Sequence, residues 1–273
     1  MLGKYLANVR ETCPLVHNIT NYVTVNDVAN AILAVGASPI MSDEPDDVED
    51  ITSICGGLNL NIGTLNQRSI EGMHVAGRKA RELGHKILLD PVGAGASKLR
   101  TATAASLMDE VRPDVIRGNV SEIKALVLGS TTPRGVDASA ADAVSDQNLD
   151  QMVAFVKSFA ADRKATVAIT GAIDLVADAD RCYVIRNGRP EMGSITGTGC
   201  QLSGVATAFA VANPDDVTSA VAAAVAAMGL AGEVGYSHLA PYEGNSTLRN
   251  RIIDALYNMD AATLDGGEKV ELR

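Results

Sequence analysis

The stretch SITGTGCQLSG, residues 194–204, places small, flexible positions directly before a helical pattern whose first turn carries a thiol. Glycine lets backbone N–H groups approach a ligand closely, and a helix N-terminus attracts anions. Gly197, Thr198 and Gly199 could therefore cradle a phosphate that gains charge during transfer. The same residues could equally form a tight turn that only starts a helix. A helix N-terminus lowers a thiol below its ordinary range, so Cys200 is expected to serve as a base or nucleophile. Cys13, Cys55 and Cys182 are read as small core residues.

Two further stretches carry chemistry. In LLDPVGAGA (88–96), Asp90 ends a buried apolar run, where a carboxylate needs a partner such as a cation. Mg²⁺ held by one or two carboxylates and phosphates would fit; alternatively Asp90 caps the turn at Pro91. In RGNVSE (117–122), Asn119 and Glu122 have the spacing of a capping box, with the glutamate reaching back to the asparagine; alternatively or in addition Glu122 could hold metal-bound water. Arg117 at a strand end could meet a phosphate. The sequence contains no GxxxxGK[ST], no GxGxxG after a strand and no GxSxG elbow, so a P-loop nucleotidase, a dinucleotide dehydrogenase and an α/β-hydrolase lack support. The histidines at 17, 74, 85 and 238 and the four cysteines show no metal-ligand spacing. His74 and His85 are placed on or beside a solvated helix.

These residues need a scaffold, and the sequence alternates in a way that supplies one. Strands are predicted at 16–20, 38–42, 58–63, 86–90, 114–118 and 166–170, with helices at 23–36, 45–55 and 67–84 and helical patterns between the later strands. Gly36 and Gly84 are read as helix stops. Such β–α alternation predicts a mostly parallel sheet with helices on both faces. Residues 174–188 read as an antiparallel edge hairpin, followed by helices near 200–211, 215–235 and 245–260. Ligands of open α/β sheets bind beyond the carboxyl ends of the strands. Here those ends are followed by DEP, GTLN, PVGAGAS, NVSE and GAID, so the site is expected along that edge.

The chain has 273 residues, 47% of them apolar but only 3% aromatic, so one globular domain spanning 1–273 with a core of Ala, Val, Ile and Leu is expected. A net charge of −10 disfavours nucleic acid and anionic membranes as partners. The weakly polar run 219–232 is too short and too rich in Ala to span a bilayer, and no leader pattern opens the chain. A cytoplasmic protein with reduced thiols is the expectation.

Taken together, HNITNYVTVNDVANAILAVGASPIMS (17–42), NIGTL (61–65), LLDPVGAGAS (88–97), RGNVSEIKAL (117–126), ITGAIDLV (169–176) and GSITGTGCQLSG (193–204) resemble the hydroxyethylthiazole kinase family of the ribokinase-like superfamily. The resemblance implies a three-layer α/β/α sandwich without a lid. It implies ATP-dependent phosphorylation of 4-methyl-5-(2-hydroxyethyl)thiazole in thiamine salvage, and a homotrimer with active sites between subunits. It puts Met41, Asn21, Gly63 and Gly197 against the thiazole, Arg117 and Thr170 on ATP, Asp90 and Glu122 around Mg²⁺, and Cys200 where related sugar kinases carry an aspartate base. Three readings compete: a related kinase for a pyrimidine alcohol or pyridoxal, a nucleotide-dependent repair dehydratase of similar fold, and a non-catalytic binding module. The set of Asp90, Glu122 and Cys200 weighs against the last, since binding alone needs no base.

Overall fold

Apolar runs too short for helices lie side by side as strands in the computed structural model, which describes residues 1–128 and 143–273. A first helix, α1 (Gly3–Thr12), precedes β1 (Leu15–Ile19), α2 (Val25–Ala34) and β2 (Ser38–Met41). Then come α3 (Val48–Ile54), β3 (Gly57–Asn61), α4 (Gln67–Leu83), β4 (Lys86–Asp90), α5 (Lys98–Val111) and β5 (Val115–Asn119). Helices α6 (Val120–Leu128) and α7 (Leu149–Arg163) lead to β6 (Thr166–Thr170) and to the hairpin of β7 (Asp174–Ala177) and β8 (Cys182–Ile185). A 3-10 turn at Pro190–Ser194 introduces α8 (Thr198–Ala212), α9 (Val217–Ser237), α10 (Asn245–Asn258), α11 (Ala261–Gly267) and β9 (Val270–Leu272).

All nine strands among the described residues join one sheet in the order β2-β1-β3-β4-β5-β6-β7-β8-β9. Pairing from β2 to β6 is parallel, and the last three strands add antiparallel at one edge. The mostly parallel sheet and the antiparallel hairpin match expectation, but the hairpin is not the edge itself, because β9 pairs with β8 and takes that place. Three elements do not: α1, α11 and β9 lay outside the predicted set. The predicted helix at 45–55 is shorter, because Pro45–Asp47 form a turn before Val48.

The sheet divides two cores, and strand residues alternate between them. One core packs α1, α2, α8, α9, α10 and α11 against one face, where Val16, Leu88 and Val115 point. The other packs α3 to α7 against Ile19, Leu58, Leu60, Leu89 and Ile116. The result is a three-layer sandwich. At the centre of the first layer, α9 is buried along almost its whole length by alanine, valine and glycine. It is long and apolar enough to cross a membrane, yet 83% of its apolar window is buried in the protein. Small side chains let α8 and α10 approach it closely, which is how a core with so few aromatics still fills.

One file of polar residues interrupts the first core. Asn18 lies opposite Asn59 across β1 and β3, and Asn61 lies opposite Asp90 across β3 and β4. By alternation all four face the helical layer that contains α8. A buried amide or carboxylate needs hydrogen-bond partners, and α8 supplies one of them from Ser203.

Candidate active site

The polar file opens at the carboxyl ends of the parallel strands, against the first turn of α8. Gly197 is the N-cap of that helix, at φ +85°, and no side chain caps the turn. The leading N–H groups of a helix have no acceptor inside it, so the amides of the first turn remain available to an anion. Only glycine serves at 197: a Cβ there would lie 2.1 Å from the Thr24 methyl. A Cβ at Gly199 would lie 2.6 Å from the Arg117 guanidinium, so that cation sits directly over the turn.

Asn21 sits at the centre of a hydrogen-bond chain beside the turn. Its Nδ2 donates to Asn61 Oδ1 at 3.0 Å and to Cys200 Sγ at 3.2 Å, while its Oδ1 accepts from the Thr24 hydroxyl at 3.0 Å. Asn61 Oδ1 also accepts from the Gly63 N–H at 3.0 Å, and Asn61 Nδ2 donates to Asp90 Oδ2 at 2.9 Å. Cys200, Asn21, Asn61 and Asp90 are thereby linked atom to atom across three strand ends and a helix.

Asp90 is fully buried, and its two oxygens differ. Oδ2 accepts from Asn61, from Ser203 Oγ at 2.7 Å and from Arg117 Nη1 at 3.4 Å. Oδ1 has no partner. Burial pushes the carboxyl up to about 6, against the pull of Arg117. Arg117 Nη2 donates to the Thr170 hydroxyl at 2.5 Å, so the guanidinium spans β4, β6 and the α8 turn. Glu122 forms the expected capping box: Asn119 N–H donates to Oε2 at 2.8 Å and Glu122 N–H to Asn119 Oδ1 at 2.8 Å. Its second oxygen accepts from Gly93 N–H at 2.8 Å, in the loop that follows Asp90.

Two expectations about cysteine change. Cys200 is the third residue of α8 and lies near its N-terminus as predicted, but burial, then the Asp90 charge, push its thiol up rather than down. Desolvation outweighs the helix dipole because the sulfur is buried against Asn21 and away from water. Cys13 is not a core residue; it is exposed and left-handed at the end of α1. Cys55 and Cys182 are buried as expected. Asp90 does not cap the Pro91 turn with its side chain, whose contacts run instead to Asn61, Ser203 and Arg117.

Beside the helix turn lies a cavity of about 490 Å³, bounded by Arg117, Thr170, Asp174, Gly188, Thr198 and Gly199, with Val225, Met228 and Gly229 of α9 as its back wall. Burial pushes the half-buried Asp174 up to about 7. Met41, Asn21 and Gly63 do not border this cavity. Met41 stands at the end of β2, tied to the site by its register opposite Asn18. His17 holds that strand end. Its Nε2 lies 2.9 Å from the Ser42 carbonyl and its Nδ1 2.9 Å from the Thr52 hydroxyl. A carbonyl only accepts, so the proton is on Nε2, and burial keeps the ring neutral by pushing its pKa down.

Asn61, Ser203 and Thr24 are residues of this cluster that sequence reasoning missed. Asn61 had a visible signal: it is one of two asparagines alternating with leucine in an otherwise apolar strand.

A doubly wound sandwich of this topology, with an uncapped glycine turn beside a buried carboxylate and an arginine, defines a small-molecule kinase of the ribokinase-like class. The model of the hydroxyethylthiazole kinase family matches residues 6–262. A hydroxyethylthiazole kinase of Clostridium acetobutylicum is 54% identical over 99% of both chains. The solved structure of the Pyrococcus horikoshii OT3 hydroxyethylthiazole kinase superposes with a TM-score of 0.87 at 33% identity, covering 100% of this chain and 98% of that one. A Staphylococcus aureus pyridoxal kinase shares the fold at a TM-score of 0.62 and 14% identity, covering 95% of this chain and 98% of its own. The chain belongs to the hydroxyethylthiazole kinase family. It is an enzyme that transfers a phosphoryl group to an alcohol.

Proposed function

We propose that the site phosphorylates the hydroxyl of 4-methyl-5-(2-hydroxyethyl)thiazole with ATP, in thiamine salvage. The observation that carries the reading is the meeting of Cys200, Asn21 and Asp90 at the uncapped turn 197–199. ATP occupies the cavity, with Arg117 and Thr170 against it, and its terminal phosphoryl faces the amides of the turn. The thiazole lies on the other side, against Met41, Asn21, Gly63 and Gly197. Transfer then needs positioning and charge neutralisation more than covalent chemistry.

Asp90 and Glu122 fit Mg²⁺. The unpartnered, buried Oδ1 of Asp90 is a ready ligand, and Glu122, already holding two backbone amides, suits contact through water. When bound, the ion neutralises charge on the phosphate oxygens. Two carboxylates leave room for water and phosphate, as Mg²⁺ prefers.

Cys200 occupies the position of the base. Its thiol is neutral at rest, and Asn21 Nδ2 is aimed at its sulfur. In this reading the small thiolate population takes the acceptor's proton as the new O–P bond forms and the bridge to ADP breaks. A loose transition state acidifies the hydroxyl late, so a scarce base suffices.

The acceptor side is open in one chain. Tyr22 and Val23, next to Asn21, are 76% and 59% exposed, and Leu33, in the last turn of the helix that follows, is 54% exposed. This supports a homotrimer whose neighbouring subunit covers the thiazole. One domain spanning 1–273 and a cytoplasmic setting complete the reading; all four cysteines are unpaired. ATP consumption against a panel of heterocyclic alcohols is the test. Phosphorylation of pyridoxal or a pyrimidine alcohol in preference to the thiazole would overturn it.

A further inference from the structure

Arg100, in the first turn of α5, makes no ion pair among the described residues. Its guanidinium is spent on two backbone carbonyls from different strand ends. Nη2 donates to Gly63 O at 2.7 Å, in the loop after β3, and Nη1 donates to Val92 O at 3.3 Å, in the loop after β4. The fork lies over Gly93, at φ +74°, where a Cβ would stand 2.2 Å from Nη1. Each contact continues into one half of the site. Gly63 donates its N–H to Asn61 Oδ1 and packs on Asn21, a Cβ there meeting the Asn21 side chain at 3.0 Å. Gly93 donates its N–H to Glu122.

A charged group held half-buried by neutral carbonyls is a costly way to pack a loop. What the planar fork adds is two directed bonds in fixed relation. We propose that Arg100 is a positioning residue that couples the acceptor pocket, through Gly63, to the glycine loop 91–96 and Glu122. It acts through these loops and touches neither reactant. The inference rests on the functional reading above for what each half binds, but the coupling itself belongs to the chain.

Hydrogen exchange tests it without turnover. The amides of Gly63, Gly93, Gly95 and Ala96 are all hydrogen-bonded and report on the two loops. In ligand-free Arg100→Ala, exchange at both loops should rise by about tenfold or more while β3 and β4 keep parent rates. Arg100→Lys, with charge but no fork, should behave like the alanine variant at one loop at least. In the parent, 4-methyl-5-(2-hydroxyethyl)thiazole added alone should slow exchange at 93–96 as well as at 63, and in Arg100→Ala at 63 only. In turnover, Arg100→Ala should raise the KM for the thiazole and the Mg²⁺ requirement together, with the KM for ATP little changed. Full rescue by lysine, or faster exchange throughout the sheet, would overturn the coupling. So would unchanged loop exchange in the alanine variant. If the parent neither binds nor phosphorylates the thiazole, the functional reading has failed, and the ligand-free exchange still decides the coupling.

Discussion

At Cys200 the competition between a helix dipole and burial is won by burial, and this sets the expected pH behaviour. A thiol pushed up from its ordinary value is scarcely ionised at neutral pH. The kcat of the parent should therefore keep rising as pH rises through and beyond the ordinary thiol range. Cys200→Asp, with an acid that ionises far lower, should retain activity and lose that alkaline rise. Cys200→Ala should lower kcat on the order of 10²-fold; turnover like the parent's would remove the base role. Asp90 makes a second prediction. Its folded-state value of about 6 lies above the unfolded value of 3.8. The folded state therefore binds more protons between these values, and ionising Asp90 costs stability as pH rises through that window. Above it the cost is complete, on the order of 2–3 kcal/mol without metal. Asp90→Asn should thus raise the Tm of ligand-free protein at pH 8 relative to its parent, yet raise the Mg²⁺ requirement of catalysis. A lower Tm, or an unchanged Mg²⁺ titration, would deny Asp90 its strained functional role.

The elements hold these side chains by means that the sequence shows unevenly. Glu122 serves a helix and a loop together, so its variants should separate the two. Glu122→Ala should cost about 1 kcal/mol through loss of the cap as well as activity, whereas Glu122→Gln should keep most of the stability and still lose activity. Chemical denaturation beside kinetics reads both. The parallel strands were legible because each is a short apolar run between turn residues, and the capping box at 119–122 was legible because its signal is local. Elements settled by distant partners were not. Val270–Leu272 has no strand signature of its own and is a strand because β8 offers an open edge. Helix α1 ends in a left-handed Cys13, and nothing local marks that residue as exposed. In the site, the motif residues could be placed, but Ser203 and Arg100 could not, since their roles appear only once α8 crosses β4 and α5 meets two loops. The protonation of Cys200 likewise depends on burial, which no spacing reveals.

For the molecule as a whole, the open acceptor side bears on assembly. If a neighbouring subunit covers it, Leu33→Asp should shift sedimentation from trimer to monomer. It should also weaken the thiazole KM well beyond the ATP KM, because the cavity proposed for the nucleotide lies within one chain. Trimers that persist, or equal losses in both KM values, would separate assembly from the acceptor site. Helix α9 has another bearing. It is the buried column of one core and also, through Val225, Met228 and Gly229, the back wall of the cavity. No independent set of residues is left to reshape that wall. A side chain changed in that wall is also changed in the core, so substitutions at Val225 or Met228 should move stability and the affinity of whatever fills the cavity together.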